Sequence, residues 1–104
     1  MLNEIETNHI SEAVAKGKLS VVLGYTNMCG TCESAKKMLA IVSELMKDVT
    51  FYKVNLNYFP TIAKTYDVKS NPCFMVFKHG VLTDLFYAFH SVTYLYEKIN
   101  GHLA

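Results

Sequence analysis

Two cysteines separated by two residues, Cys29 and Cys32, are the side chains of this sequence best suited to chemistry. They follow an apolar run and precede a helical pattern, so a helix beginning at about Cys29 would place both sulfurs on one face of its first turn. There they could oxidise to a small-ring disulfide. Free backbone N–H groups and the positive end of a helix dipole favour a thiolate, so we expect Cys29, the outer sulfur, to be a nucleophile with a lowered pKa.

The same spacing suggests a reaction cycle. Cys32, one helical turn deeper, can attack a mixed disulfide formed at Cys29, expel the partner's thiol and leave an internal disulfide. The spacing alone is ambiguous, because half of a zinc site has the same pattern. The rest of the chain must decide between thiol–disulfide exchange and metal binding.

Size and charge limit the functional classes. The chain has 104 residues, of which 51% are hydrophobic, and this predicts one domain over residues 1–104. Its 10 basic and 9 acidic residues include no basic run, so nucleic acid is not an expected partner. The N-terminus lacks the features of a secretory signal and no apolar run is long enough to span a bilayer, so we expect a cytoplasmic protein without a membrane partner. An odd number of cysteines, three, favours catalytic or metal-binding thiols over a structural disulfide framework.

The hydrophobic pattern predicts the element order β-α-β-α-β-α-β-β-α. Strands are expected at 2–6, 19–25, 49–56, 74–77 and 81–89, and helices at 9–16, 29–47, 61–66 and after residue 91. The helix after the cysteines should bury an apolar stripe made of Ala35, Met38, Leu39, Val42, Leu45 and Met46. Ser91 should cap the last helix, whose apolar stripe is Val92, Leu95, Tyr96, Ile99 and Leu103.

Such an order predicts an α/β fold in three layers, α/β/α, around a central mixed sheet of four to five strands. The alternating strands and helices give parallel strands. A terminal hairpin, turned at Lys78-His79-Gly80, adds the antiparallel ones.

Three separated segments resemble the thioredoxin family. They are Cys29-Gly30-Thr31-Cys32 after an apolar strand, Lys53-Val54-Asn55, and the segment 63–72 followed by Phe77-Lys78-His79-Gly80. The resemblance runs from about Val21 to Gly80 and is weaker through the last helix. It implies the thioredoxin fold and a cis peptide bond before Pro72. Pro72 should face the cysteine pair.

The resemblance also implies roles for the site residues. Cys29 attacks a disulfide and Cys32 resolves the intermediate, while the substrate groove is shaped by Met28, Gly30, Thr31, Asn71 and Pro72. Expected partners are disulfide-containing proteins or small disulfides, together with a thioredoxin-reductase-like protein or a low-molecular-weight thiol as reductant. No bound cofactor is required.

Four positions depart from the family's pattern. Met28 stands where most members have tryptophan, Leu23 replaces a buried acid, Thr31 replaces proline before the second cysteine, and Lys37 replaces a helix-kinking proline. We therefore expect a different docking surface and a disulfide somewhat more oxidising than that of thioredoxin, whose potential is roughly −270 mV. The attack of Cys32 on the mixed disulfide should be slower, or assisted by water or Lys53. The helix that carries Lys37 should be straighter than in the family.

Cys73, directly after Pro72, is the third thiol. We expect a buried apolar role for it, although a position near the pair would let it form an alternative disulfide or supply a third metal thiolate. Lys53, opposite Leu23 and without its presumed acidic partner, should extend to water.

Two alternatives to exchange therefore stay open. One is a module that holds zinc or copper(I) through Cys29, Cys32 and Cys73, and the other is an interaction domain switched by the dithiol.

Overall fold

A five-stranded mixed sheet lies between two pairs of helices in the computed structural model, which describes residues 1–103. The strands are β1 (Asn3–Ile5), β2 (Leu19–Tyr25), β3 (Thr50–Asn55), β4 (Cys73–Lys78) and β5 (Val81–Phe86), and the helices are α1 (Ile10–Val14), α2 (Cys32–Leu45), α3 (Pro60–Thr65) and α4 (Val92–Asn100). This is the predicted element order. The last residue of the predicted domain, Ala104, lies outside the described residues.

The sheet has the strand order β1-β3-β2-β4-β5. β1 and β2 both pair with β3 in parallel, whereas β4 is antiparallel to β2 and β5 is antiparallel to β4. The carboxyl ends of β1, β3 and β2 therefore share one edge with the start of β4. Gly24 pairs with Cys73, so the chain that leaves β2 towards Cys29 runs beside the chain that enters β4 from Pro72.

Two hydrophobic clusters fill the space on the two faces of the sheet. The cluster under α2 and α4 contains Leu23, Phe74 and Leu95, which are 0% exposed. The cluster under α1 and α3 contains Ile62 and Met75, which are also buried. The predicted three-layer arrangement is thus confirmed.

The hairpin turn and the last helix cap form as predicted. His79 and Gly80 have φ angles of 52° and 82°, the two positive values that a tight turn between antiparallel strands needs. The Ser91 hydroxyl accepts a hydrogen bond of 3.0 Å from the Tyr94 backbone N–H, as expected for an N-cap.

Several predicted boundaries and burials are wrong. α2 begins at Cys32, three residues later than predicted, and β5 ends at Phe86. Leu45 is 59% exposed and Leu103 is 46% exposed. The buried face of α2 instead carries Ser43, whose hydroxyl donates to the Ala40 carbonyl at 2.6 Å; a polar group that is paired in this way costs little to bury.

None of the helices within residues 1–103 has both the length and the apolar character needed to cross a lipid bilayer.

Candidate redox site

Cys29 and Cys32 are joined by a disulfide at the start of α2, with their Cα atoms 5.3 Å apart. The Cys32 side chain is 1% exposed, whereas Cys29 is half-buried. One sulfur is therefore open to a partner and the other is covered. Thiol–disulfide exchange requires one accessible sulfur, because the first thiolate must meet an external disulfide.

Because α2 begins at Cys32, Cys29 lies before the helix. A turn connects the two residues, in which the Cys32 N–H donates to the Cys29 carbonyl at 3.3 Å. The Thr31 hydroxyl lies 3.8 Å from the Cys29 sulfur. Cys29 is still beside the positive end of the helix dipole, but its backbone is held by the loop and not by helical hydrogen bonds.

Three asparagines fasten that loop to the sheet. The Asn27 backbone N–H donates to Asn57 Oδ1 at 2.6 Å, and Asn55 Nδ2 donates to Asn27 Oδ1 at 2.7 Å. The Asn57 backbone N–H donates in turn to Asn55 Oδ1 at 2.9 Å. We call Asn27, Asn55 and Asn57 the asparagine clasp.

The predicted groove residues come from two segments at the same sheet edge. Met28 is 96% exposed, and a Cβ atom added at Gly30 would meet no atom within 4 Å. The Asn71–Pro72 peptide bond is cis, in agreement with the expectation; Asn71 is exposed and Pro72 is buried. A cleft of about 220 Å³ beside Asn71 is lined also by Thr26, Leu56, Ala63, Val68, Lys69 and Ser70.

Lys53 has an acidic partner that the sequence analysis missed. Its Nζ lies 3.8 Å from Glu4 Oε1 in β1, and the Tyr25 hydroxyl donates to both Glu4 oxygens at 3.1 and 3.0 Å. Burial, reinforced by Glu4, raises the pKa of Tyr25 to about 12. The Lys53 side chain is 31% exposed, so it reaches water and an ion pair together.

The Cys73 side chain lies in the hydrophobic core. It is 0% exposed and packs with Leu56 and Met75 in the cluster under α1 and α3. Burial raises the pKa of its thiol to about 12, so it is neutral and unreactive at physiological pH. Within residues 1–103, no three His, Cys, Asp or Glu side chains converge as metal ligands.

The buried thiol predicts a loss of stability at high pH. In the unfolded chain Cys73 should ionise at its ordinary pKa of 9.0, whereas the fold holds it neutral until about pH 12. Its contribution to stability is therefore complete below pH 9.0 and is lost as the pH rises towards 12. Between about pH 8 and pH 10 we expect the oxidised protein to lose on the order of 1 kcal/mol through this group.

Urea unfolding at the two pH values measures this loss, with Cys73→Ala as the control. The variant should be less stable at both pH values because of its cavity, but its pH dependence should be smaller by the stated amount. An equal pH dependence in both proteins would contradict the prediction.

Other site residues that sequence reasoning missed are Asn27 and Asn57. Both stand, like Asn55, just after or at the end of a strand in the parallel part of the sheet. Polar side chains at the ends of adjacent strands were the available signal, since the carboxyl ends of parallel strands share one edge. Glu4 gave no such signal, because nothing in the pattern of a short edge strand says which face each residue occupies.

Comparison with known proteins agrees with this geometry. The family model described as thioredoxin matches residues 2–100. The chain is 49% identical to Thioredoxin-like protein YusE of Bacillus subtilis over 98 residues, which are 94% of this chain and 88% of that protein. It is 30% identical to Thioredoxin-1 of Saccharomyces cerevisiae over 81 residues, covering 77% of this chain and 79% of the yeast protein.

A solved structure shows the shared fold. The solution structure of oxidised thioredoxin from Plasmodium falciparum superposes with a TM-score of 0.87 over 100% of both chains, at 18% sequence identity. At that identity the match concerns the fold alone, and the fold is the expected one.

Proposed function

Because the chain belongs to the thioredoxin family and is a thiol–disulfide oxidoreductase, we propose that Cys29 is its attacking thiol and Cys32 its resolving thiol. The observation that carries the assignment is the difference in access within one disulfide: Cys32 is 1% exposed, while Cys29 is half-buried beside the fully open Met28. An external disulfide can meet only the more accessible sulfur.

The reaction then proceeds in two exchanges. The Cys29 thiolate attacks one sulfur of the substrate disulfide, forms a mixed disulfide and releases the other substrate thiol. Cys32 then attacks the Cys29 sulfur, the second substrate thiol leaves, and the Cys29–Cys32 disulfide remains. The dithiol has given two electrons to the substrate, and two electrons from an external reductant restore it.

The groove should be formed by Met28, Gly30 and Thr31 on one side and by Asn71 and Pro72 on the other. What supports this is the sheet register, which sets the end of β2 beside the start of β4. Asn71 is exposed, and we expect its backbone to pair with an extended substrate strand, as main-chain groups at a sheet edge do. Met28 offers a flexible thioether that adapts to apolar partners.

Members of this family act on disulfides with a reductase as electron source. For this chain we propose disulfide-containing proteins or small disulfides as substrates, and a thioredoxin-reductase-like protein or a low-molecular-weight thiol as reductant. The cycle needs no bound cofactor. We further propose that residues 1–104 form a single domain working in the cytoplasm, where a buried third thiol such as Cys73 stays reduced.

Reduction of insulin disulfides tests this function. With dithiothreitol as electron donor, the wild-type protein should accelerate insulin precipitation, and Cys29→Ser should return the rate to that of dithiothreitol alone. Cys73→Ala is the matched control, since it also removes a thiol but should keep the activity. No acceleration by the wild type with any common reductant would refute the proposal.

A further inference from the structure

Besides the disulfide, Cys29 accepts one backbone hydrogen bond from α2, donated by the Cys32 N–H at 3.3 Å. While the disulfide is closed, Cys29 is bonded to the first residue of the helix. When the pair is reduced the covalent bond is gone, and the attacking thiol is carried by the loop of residues 26–31 and that one hydrogen bond. Its position in the dithiol form thus depends on what holds this loop.

The asparagine clasp ties that loop to the end of β3 through side-chain hydrogen bonds. Asn27, two residues before Cys29, uses both its backbone N–H and its side-chain oxygen in it. Asn55, at the end of β3, is 6% exposed and has its amide nitrogen and its oxygen both engaged. A buried amide with both ends paired has one preferred orientation, so it is a firm anchor.

We propose that the asparagine clasp keeps the Cys29 loop in place while the Cys29–Cys32 pair is reduced, and thereby sets the redox equilibrium of the pair. Two thiols that are already held close form a disulfide more readily than two that must first be brought together. The clasp therefore favours the disulfide, and breaking it should favour the dithiol. The inference rests on the proposed roles of Cys29 and Cys32.

The equilibrium is measured against glutathione. The protein dithiol and one oxidised glutathione give the protein disulfide and two reduced glutathione molecules, so atoms and electrons balance. Loss of one ordinary hydrogen bond corresponds to about a fivefold change in an equilibrium constant. For Asn57→Ala we expect an equilibrium constant for disulfide formation about fivefold lower, which is a potential about 20 mV more positive.

The variants separate the hydrogen bond from other effects. Asn57 contributes only its side-chain oxygen and its backbone N–H, so Asn57→Asp keeps the bonds and should stay within about twofold of wild type when salt screens the added charge. Asn27→Ala breaks the other side of the clasp and should shift the equilibrium in the same direction. The double variant Asn27→Ala/Asn57→Ala should shift the glutathione equilibrium by less than the sum of the two single shifts, because the hydrogen bonds act as a unit. Asn100→Ala, at an exposed position at the end of α4, is the matched control.

Thermal unfolding of both redox forms distinguishes positioning from a general structural role. A structural role would lower the stability of the oxidised and reduced proteins equally and leave the glutathione equilibrium unchanged. That result, or an Asn57→Asp variant that behaves like Asn57→Ala, would overturn the proposal. Since no protein substrate takes part, the glutathione equilibrium is informative even if insulin is not reduced.

Discussion

Replacing Cys32 with serine should convert the protein from a catalyst into a trap. Cys29 would still attack a substrate disulfide, but no internal thiol would follow to expel the substrate. The mixed disulfide should then persist at least about a hundredfold longer than in the wild type, because intramolecular attack gains a large effective concentration over free thiols. Non-reducing electrophoresis and mass spectrometry of the adduct measure this directly.

The control for trapping is the double variant Cys29→Ser/Cys32→Ser, which should form no adduct. Cys73, 0% exposed and neutral because burial raises its pKa to about 12, should not substitute for Cys29. A larger yield from Cys29→Ser than from Cys32→Ser would reverse the proposed roles of the two cysteines, whereas adducts formed by the double variant would show that Cys73 reacts with substrate. Peptides recovered from the trapped adduct would also identify the substrate.

Prediction from the sequence worked where one local pattern determines the structure. The apolar run of β2 was predicted with its observed bounds, Leu19–Tyr25, since a continuous β-branched run suits a strand covered on both faces. The turn at His79-Gly80 and the Ser91 cap also depend on a few neighbouring residues. The thioredoxin fold followed from the element order and the resemblance together.

Prediction failed where tertiary contacts decide. The sequence predicts a start of α2 at about Cys29, because periodicity does not show that Asn55 and Asn57, at and after the end of β3, hold the loop before Cys32. Similarly, Leu23 opposite Lys53 predicts that the lysine has no acidic partner. Glu4 stands beside Lys53 in the register of β1 and β3, and that neighbour is known only once the strand order is known.

The contact between Gly24 and Cys73 is the second place where a large effect is expected. A Cβ atom on Gly24 would lie 2.6 Å from the Cys73 sulfur and 2.9 Å from Leu56 Cδ1. Neither distance is tolerable, so β2 and β4 would have to move apart or both side chains would have to shift. Gly24→Ala should destabilise the oxidised protein by about 1–3 kcal/mol, the usual cost of overpacking a core, as measured by urea unfolding.

A double-mutant cycle tests whether the sulfur is the cause. Cys73→Ala alone should be destabilising because it leaves a cavity, but in the Gly24→Ala background it removes the closer clash. We expect a coupling energy of at least about 1 kcal/mol between the two positions. Gly17→Ala is the matched control: its added Cβ would come no closer than 3.5 Å to any neighbour, so it should change stability by no more than about 0.5 kcal/mol.

The contact between Gly24 and Cys73 should also affect the redox site. Gly24 and Cys73 form the last pair between β2 and β4 at the edge of the sheet that carries the site. The chain runs from the end of β2 to Cys29, and it enters β4 from Pro72. A displacement at this pair should therefore separate the thiol from the groove, and the folded Gly24→Ala protein should reduce insulin more slowly than its fraction folded explains. Recovery of the rate in Gly24→Ala/Cys73→Ala would identify spacing between β2 and β4 as the cause, whereas full activity per folded molecule in Gly24→Ala would show that the site tolerates the shift.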